Sequence, residues 1–505
     1  MTDDDARGSA KNGVSRRDFL KAVGGALGGV ALTTAGSSGN ARNGSLGAVP
    51  NGYVFYRVWT ANDGAAWPGD PGGINPVGEM TPVTMMAGGT PFIYFHGHMT
   101  QAATDKAPGL GQGATPPDAV FLASVDYTRT PPAITDLRLW VYQNFSLTTP
   151  NIVGVPQDQL PLTISRIGTG DTNSAGHYAT TLTCADLSGS VAVKNAPGVY
   201  LIMPETKVWS RVARFGDPAP EGGQYGGIFG DVALADDDTV TFIGTTTDTS
   251  TTSLGATQAL FSASPKHPRS SRVLMRAGDL LPGTNSAIRS FGLVDVASDG
   301  GFLAQVSAFR VDGADRRPGT ALIQGDLQKS LSSYRLLAAS SHLVGRLSRQ
   351  TDIVPGDTIL GARIARGGIV AQVTHTTSHL HGLTFRTRLG GATLLTRNGL
   401  LRGGRTVASL GAPVVSDSAL VYETELLDDG SSVLTVSDGQ TTQTILRSGD
   451  MVQGKQITEI LHGYHPRQTD SSGRLAFGAE FLKNASGDPD DPNNVESALV
   501  VGIPV

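Results

Sequence analysis

Seven of the ten histidines stand in three short clusters, a spacing that would let imidazole nitrogens bind a transition metal. The clusters are His96-Gly97-His98, the segment from His375 to His381 with His379 inside it, and His462-Gly463-Tyr464-His465. A His-x-His pair on a strand places both rings on one side of the sheet, because strand side chains repeat every two residues. The candidate metal ligands are therefore His96, His98, His375, His379 and His381.

The favoured alternative is that these are ordinary loop histidines that make local hydrogen bonds. No spacing in the chain matches a zinc signature such as H-E-x-x-H. In a ring-shaped fold the first two clusters could meet only near the central axis, where His342 could join them. The sequence also has no G-x-S-x-G motif, so no serine is marked as a nucleophile. Catalytic residues remain unknown, and whether the protein is an enzyme stays open.

One segment carries enough oxygen ligands for calcium. Residues 487–493 read Gly-Asp-Pro-Asp-Asp-Pro-Asn, but the prolines and the missing Gly-then-Glu order depart from an EF-hand loop. A solvated loop is the favoured interpretation. No cofactor is evident from the sequence, with a transition metal or calcium as the alternatives.

Composition narrows the class of protein. Glycine occupies 65 of 505 positions, charged residues make up 16% of the chain, and the formal net charge is −5. This balance gives no electrostatic footprint for nucleic acid or for an anionic membrane. The single cysteine excludes a disulfide framework. A large, turn-rich globular protein remains.

A repeat of about sixty residues organises the chain. Its clearest marks are the turns Gly216-Asp217, Gly278-Asp279 and Gly449-Asp450, each followed about twenty residues later by a second turn and an alternating strand. The second turns are marked by Gly89, Gly176, Asp238, Gly300, Gly367, Ser418 and Gly473, at spacings of 87, 62, 62, 67, 51 and 55 residues. Glycine supplies positive φ there and the Asp carboxylate accepts backbone N–H groups, so turn chemistry explains the repeat. A ring of calcium-binding or catalytic carboxylates is the alternative.

The repeat predicts an all-β fold, a seven-bladed β-propeller of four-stranded antiparallel blades. In the unit around Gly300 we expect strands over 288–296, 302–308, 321–323 and 334–338. The chain ends on what reads as a third strand, and the segment 54–59 reads as a fourth. The N-terminal strand 54–59 is therefore expected to pair in the C-terminal blade and close the ring, which removes its open edges. We expect one propeller domain over residues 50–505.

The first 41 residues are predicted to be a signal peptide and short linker. Ser15-Arg16-Arg17-Asp18-Phe19-Leu20-Lys21 precedes an apolar run of about 14 residues, which is too short to span a bilayer. The segment resembles a twin-arginine export signal, with Arg16, Arg17, Phe19, Leu20 and Lys21 at the pattern positions. The resemblance implies export of a folded protein by the twin-arginine translocase to the periplasm or the extracellular space. No stable membrane anchor is expected.

The repeats resemble a group of exported bacterial propeller-like proteins that carry Gly-Asp, then Pro-Gly, then a polar-Gly turn before an apolar-x-Phe strand. The resemblance covers roughly residues 150–505, and Gly278-Asp279, Pro282-Gly283 and Asp299-Gly300 form the closest unit. That group has no agreed activity, so the resemblance implies a fold and not a reaction.

Two functions follow from this pattern. The first is an exported propeller that binds a polymer, small molecule or partner protein through the face bearing its long loops, because loops on a rigid scaffold usually carry binding residues. The alternative is a periplasmic or extracellular metal-dependent hydrolase, lyase or oxygenase with a histidine-lined site near the axis. Convergence of three or more of the histidine rings would favour the enzyme.

Overall fold

The structure is a computed structural model of the 505-residue chain. The residues it describes are 49–60, 64–67, 70–79, 85–86, 92–99, 104–105, 118–148, 152–155, 160, 162–186, 196–203, 205–206, 208–220, 222–247, 257–312, 317–344, 358–375, 381–386, 392–461, 472–484, 487 and 494–505.

Strands make up most of this part of the chain, which confirms the all-β prediction. They form a propeller-like arrangement of seven small sheets. The helical elements that lie wholly within the described ranges are one α-helix, α1 (Ser341–Val344), and 3-10 turns at Leu331–Ser333 and Arg366–Gly368. No helix in this part of the chain is long and apolar enough to cross a bilayer.

The strands are numbered along the chain, and the sheets are numbered one to seven. β1 is Tyr53–Thr60. Sheet one contains β2 (Gly64–Trp67), β3 (Asp70–Glu79), β4 (Met85–Met86), β5 (Phe92–Met99), β6 (Asp118–Asp126) and β7 (Ala133–Tyr142). Sheet two contains β8 (Ser146–Leu147), β9 (Ile152–Val153), β10 (Leu162–Thr172), β11 (Tyr178–Asp186), β12 (Ala196–Met203) and β13 (Val208–Arg214).

The next three sheets are four-stranded. Sheet three contains β14 (Gln224–Leu234), β15 (Val240–Thr247), β16 (Thr257–Ser264) and β17 (His267–Arg276). Sheet four contains β18 (Ser286–Val296), β19 (Gly301–Arg310), β20 (Gly319–Asp326) and β21 (Arg335–Ala339). Sheet five contains β22 (Thr358–Ala365), β23 (Ile369–His375), β24 (His381–Arg386) and β25 (Ala392–Arg397). The four strands of sheet four overlap the four predicted ones, so that prediction is confirmed.

The last two sheets add short hairpins to the same plan. Sheet six contains β26 (Leu401–Arg402), β27 (Arg405–Leu410), β28 (Val414–Val415), β29 (Val421–Leu427), β30 (Ser432–Ser437) and β31 (Thr442–Arg447). Sheet seven contains β32 (Met451–Val452), β33 (Lys455–Ile460), β34 (Leu475–Leu482), β35 (Val495–Pro504) and β1.

Sheets two to seven share one wiring, in which successive antiparallel strands run from the innermost to the outermost position. Their innermost strands also share an irregularity, a shift of register against the second strand. It falls at Ile164/Arg166, Tyr225/Phe229, Ile288/Ser290, Ile359/Gly361, Val407/Ser409 and Ile457/Glu459. A bulge at one position in every blade bends each inner strand in the same way. These six sheets are blades of the predicted kind.

Sheet one differs, so the prediction of a seven-bladed propeller is wrong: six of the seven sheets are blades. Its strand order is β3-β2-β7-β6-β5-β4, with β2 parallel to β7 and β3 also paired with β5. Its innermost strand β4 has only two residues. The sheet closes partly on itself because the segment 64–79 folds back as a hairpin, where the prediction placed only a turn.

The predicted closure by the N-terminal strand is confirmed. β1 runs antiparallel to β35, with Val54 opposite Ile503, Arg57 opposite Val500 and Trp59 opposite Leu499. The first strand of the described chain is thus the outermost strand of sheet seven.

The core consists of apolar clusters shared by neighbouring sheets. One cluster joins sheets two and three through Val199, Ala213 and Val232. Another joins sheets seven and one through Trp59, Phe95 and Leu499. Each of the remaining pairs of neighbouring sheets shares a similar cluster. The contacts therefore run from sheet one to sheet seven and back to sheet one.

The predicted turn chemistry is also confirmed. Gly216, Gly278 and Gly449 all have positive φ. The Asp279 carboxylate accepts the Arg276 N–H at 2.7 Å, and the Asp450 carboxylate accepts the Arg447 N–H at 2.8 Å. These aspartates serve the turns that connect one blade to the next.

Candidate functional site

A cleft lies at the outer rim between sheets two and three, with a volume of about 540 Å³. Volumes of a few hundred cubic ångströms are typical of small-molecule sites. The residues that line it are Val153, Gly154, Ser210, Arg211, Val212, Asp217, Pro218, Ala219, Pro220, Tyr225, Ser264, Pro265 and Ser271. The turn 217–220 joins β13 to β14 on the face predicted to bind, whereas the turn at Ser264 and Pro265 joins β16 to β17 on the opposite face. The cleft therefore spans the rim.

An ion pair forms the polar centre of the cleft. Arg211 Nη1 lies 3.0 Å from Asp217 Oδ1, and both side chains are about one-quarter exposed. Burial raises the pKa of the Asp217 carboxyl, and the positive charges of Arg211 and Arg214 offset only part of that rise. The carboxylate can accept further hydrogen bonds, and the guanidinium has donors left over.

Local structure places both groups. Arg211 stands on β13, the outermost of the four blade strands of sheet two, where β9 pairs alongside it in parallel. Asp217 follows Gly216, whose φ of 82° makes the turn into sheet three. It occupies the position of Asp279 and Asp450 in their turns, and it also pairs with Arg211 within the cleft.

The walls combine apolar surface with hydroxyl groups. Three prolines and two valines face the cleft. Tyr225 is almost fully buried, and burial raises the pKa of its hydroxyl. Ser264 is also buried, and its Oγ has no hydrogen-bond partner among the described residues. A buried hydroxyl in that state is available to a polar ligand.

A second polar cluster holds the same two sheets together on the opposite face. His177 follows the turn between β10 and β11, and Asp238 stands in the equivalent turn of sheet three. His177 Nδ1 lies 2.5 Å from Asp238 Oδ1, and His177 Nε2 lies 3.1 Å from Glu205 Oε1. Asn173 Nδ2 donates to Asp238 Oδ1 at 2.8 Å, and Lys266 forms an ion pair with Asp238 Oδ2.

The predicted histidine ligands are brought together only in part. His375 and His381 face each other across β23 and β24, with ring centroids 4.9 Å apart and planes at 66°. His96 and His98 lie in β5 of sheet one, and His379 lies outside the described residues. Nε2 of His342, in α1, lies 3.2 Å from the Arg317 carbonyl oxygen. Over the described ranges, no three His, Cys, Asp or Glu side chains are grouped so that they could hold a metal ion.

Other sequence predictions fall outside the described residues. These are the export signal at Arg16, Arg17, Phe19, Leu20 and Lys21, and most of the calcium segment 487–493. Much of each long loop on the predicted binding face is also outside.

Sequence reasoning missed both the cleft and the His177 cluster. Arg211, Tyr225 and Ser264 belong to no motif, and their convergence depends on the packing of two sheets. The cluster did leave a signal. Gly176 and Asp238 mark equivalent turns 62 residues apart, and this spacing predicts that His177 lies close to a carboxylate in the neighbouring blade.

Residues 139–332 match a family of unknown function (DUF7453), a span that includes β10 to β20 and therefore the cleft. No functionally curated protein matches the chain.

Several solved structures align with the chain at low identity. The polysaccharide lyase Uly1 is 10% identical with a TM-score of 0.37, and the alignment covers 71% of this chain and 77% of that one. A mutant Trypanosoma rangeli sialidase with trans-sialidase activity is 11% identical at a TM-score of 0.33, covering 71% and 57%. Prolyl oligopeptidase B from Galerina marginata is 8% identical at 0.37, covering 84% and 46%. Likeness at this level carries no inference about activity.

Proposed function

We propose that this protein is an exported, propeller-like binding protein whose cleft between sheets two and three takes a small, neutral, polyhydroxylated ligand. The observation that carries the proposal is the Arg211–Asp217 pair inside a cleft of about 540 Å³. The cleft includes part of the face on which long loops predicted a binding site.

The charges in the cleft favour a neutral ligand. Arg211 and Asp217 balance each other, so an anion or a cation would leave one of them facing a like charge. Ligand hydroxyls can donate to the carboxylate and accept from the guanidinium at the same time. Proline and valine side chains offer apolar surface to ligand C–H groups. A sugar or another polyol has this combination of groups.

Saturation-transfer NMR with a panel of neutral disaccharides, the matching uronic acids and the matching amino sugars tests the proposal. A neutral member should bind, and Arg211→Met and Asp217→Asn should each weaken it by about tenfold, the usual effect of losing a charge-assisted hydrogen bond. Arg310 and Asp312 form a similar exposed pair, 2.8 Å apart, outside the cleft. Arg310→Met and Asp312→Asn are therefore matched controls.

Two results would overturn this function. One is that no neutral member binds more tightly than about 1 mM. The other is that the control pair weakens binding as much as the cleft pair does.

A second candidate function is the metal-dependent enzyme, which the facing rings of His375 and His381 favour. With His379, His96 and His98 they would supply imidazole ligands, and the bound metal would act as a Lewis acid or activate water. Elemental analysis of natively exported protein tests this candidate. A transition metal below about a tenth of an equivalent, or content unchanged in the His375→Ala/His381→Ala double variant, would exclude it. His177→Gln, which changes a histidine outside the candidate ligands, is the control.

The export proposal rests on the twin-arginine pattern. Replacing Arg16 and Arg17 together by lysine should abolish appearance of the protein outside the cytoplasm, since the pathway recognises the arginine pair. Arg7→Lys changes a nearby arginine outside the pattern and should leave export unchanged. Export that survives the double replacement would contradict this route.

A further inference from the structure

We propose that His177, Asp238 and Lys266 form a proton-sensitive clasp between sheets two and three, which holds the turn that forms one wall of the cleft. The inference rests on the proposed function only in treating the cleft as a binding site.

The clasp connects equivalent turns of two neighbouring blades. Asp238 Oδ1 contacts His177 Nδ1 at 2.5 Å and accepts from Asn173 Nδ2 at 2.8 Å. The Ser174 N–H donates to Asp236 Oδ1 at 2.9 Å, and Asn173 Nδ2 also lies 3.2 Å from the Ala235 carbonyl. Six residues of the two turns are thus bound to each other.

The backbone of Asp238 has a conformation that favours glycine. Its φ is 67°, in the left-handed region, where the equivalent turns of sheets four and seven have Gly300 (81°) and Gly473 (75°) and that of sheet six has Ala419 (66°). A residue with a side chain costs on the order of 1 kcal/mol more than glycine in this region. The contacts of the Asp238 carboxylate offset that cost, since glycine would make none of them.

The titratable groups around His177 come from three turns and two strands. Glu205 stands before β13, Asp236 and Asp238 in the turn after β14, and Lys266 in the turn after β16. Tyr94 on β5 donates to the Gly176 carbonyl at 2.7 Å, and Asp171 on β10 accepts the Leu234 N–H at 2.8 Å. The nearest group of opposite charge to protonated His177 is the Asp238 carboxylate, whose side chain is 2% exposed.

The direction of the pH effect follows from these contacts. The hydrogen bond to Asp238 raises the pKa of His177; burial opposes the rise, and the charges of Asp238 and Glu205 add to it. A raised folded-state pKa means that the stabilisation is complete below the ordinary histidine value of about 6.5. It is lost as pH rises through the folded-state value. The clasp is therefore tighter in acid.

Lys266 connects the pH-dependent contacts of Asp238 to the cleft. It follows Ser264 and Pro265, both of which line the cleft, and it pairs with the same carboxylate as His177. When His177 is neutral, Asp238 retains Lys266 but loses the charge that binds it to sheet two. The two blades are then joined less tightly at this wall.

Hydrogen exchange on ligand-free protein at about pH 5.5 and about pH 8, corrected for intrinsic rates, tests the clasp. The protection of residues 173–177 and 235–239 should fall at the higher pH. In His177→Gln, which carries no ring proton, that fall should disappear. His342→Gln should behave as the unmodified protein, because His342 lies in α1, away from this junction.

A second measurement keeps the inference testable if His177→Gln does not fold. Histidine-labelled protein, titrated by NMR, should show one ring with a midpoint above about 6.5, and Asp238→Asn should lower that midpoint. An unshifted ring, or a pH effect that survives in His177→Gln, would overturn the clasp. Neither experiment contains a ligand, so a failure here is distinguishable from a failure of the proposed cleft function.

Discussion

Acidic side chains are buried at two junctions, one between sheets two and three and the other between sheets five and six. The two junctions differ in the groups that surround these carboxyls. In the first, the Asp238 carboxylate meets His177, Lys266 and Asn173. Burial alone would raise the pKa of Asp238, but the hydrogen bonds and charges of His177 and Lys266 lower it overall. This junction therefore keeps a charged carboxylate.

In the second junction, two glutamates stand two positions apart on β29, with opposite surroundings. Glu425 is fully buried and lies against Arg402, with Nε to Oε2 at 3.0 Å, and it accepts the Thr396 hydroxyl at 2.6 Å. Neither carboxyl oxygen of Glu423 makes a standard hydrogen bond within the described part of the chain. Burial and then the charge of Glu425 raise the pKa of Glu423 well above its usual range.

The difference shows that burial alone does not decide the charge of a carboxyl group. A buried carboxylate stays ionised where cations and donors surround it, and takes up a proton where they do not. One strand of sheet six contains both cases.

The largest expected effect is at the paired glutamate. Glu425→Gln should lower the free energy of unfolding by roughly 3 kcal/mol, because it leaves Arg402 beside a neutral group in a buried site. Chemical denaturation at pH 7 measures this loss. Arg405→Gln removes one partner of an exposed pair in the same sheet, with Asp429, and should cost less than about 1 kcal/mol. Equal losses in the two variants would contradict the comparison.

The clasp carboxylate should come next. Asp238→Asn keeps a residue that tolerates positive φ but removes the charge facing His177 and Lys266, so we expect a loss of roughly 2 kcal/mol at pH 7. Since the folded-state pKa of Asp238 is lowered, the stabilisation is present above the unfolded value of about 3.9 and is lost as pH falls through the folded value.

The deficit of Asp238→Asn in denaturation experiments should therefore shrink as pH falls below about 3.9. Asp236→Asn, next to it, changes a carboxylate that accepts the Ser174 N–H and is a control with a smaller effect. A deficit that is constant down to acidic pH would show that charge is not the cause.

Glu423 should show the smallest effect, with the opposite sign. The raised pKa means that folding holds Glu423 neutral while the unfolded chain ionises above about 4.3. Stability is therefore lost as pH rises from that value. Glu423→Gln should raise the unfolding free energy on the order of 1 kcal/mol at pH 7 and leave it unchanged near pH 4. A gain of equal size at both values, by denaturation, would contradict the neutral state of Glu423.

Much of the fold could be predicted because the same turn residues recur in successive units. Gly278 and Asp279, and then Gly300, fix where strands of sheet four begin and end, and the same residues recur in other units. The closure by β1 followed from counting strands in the last unit. Sheet one could not be predicted in this way, because residues 64–79 carry turn residues yet form a hairpin.

The candidate site could be predicted far less well. The histidine clusters are visible in the sequence because their members are close together along the chain. The partners of His177 are distant: Asp238 is 61 positions away and Glu205 is 28 positions away. The Arg211–Asp217 pair is close in sequence but acquires significance only through the wall supplied by Ser264 and Pro265. Such convergence depends on how neighbouring sheets pack, which repeat spacing limits but does not specify.

The pairing of β1 with β35 has a consequence for biosynthesis. Residues 53–60 are among the first of the described chain to be translated, and their partners 495–504 are the last. During translation the first strand has to wait without its partner while the intervening sheets form. The ring can be completed only once residues 495–504 have left the ribosome, so the closed form reports that the chain has been made as far as β35.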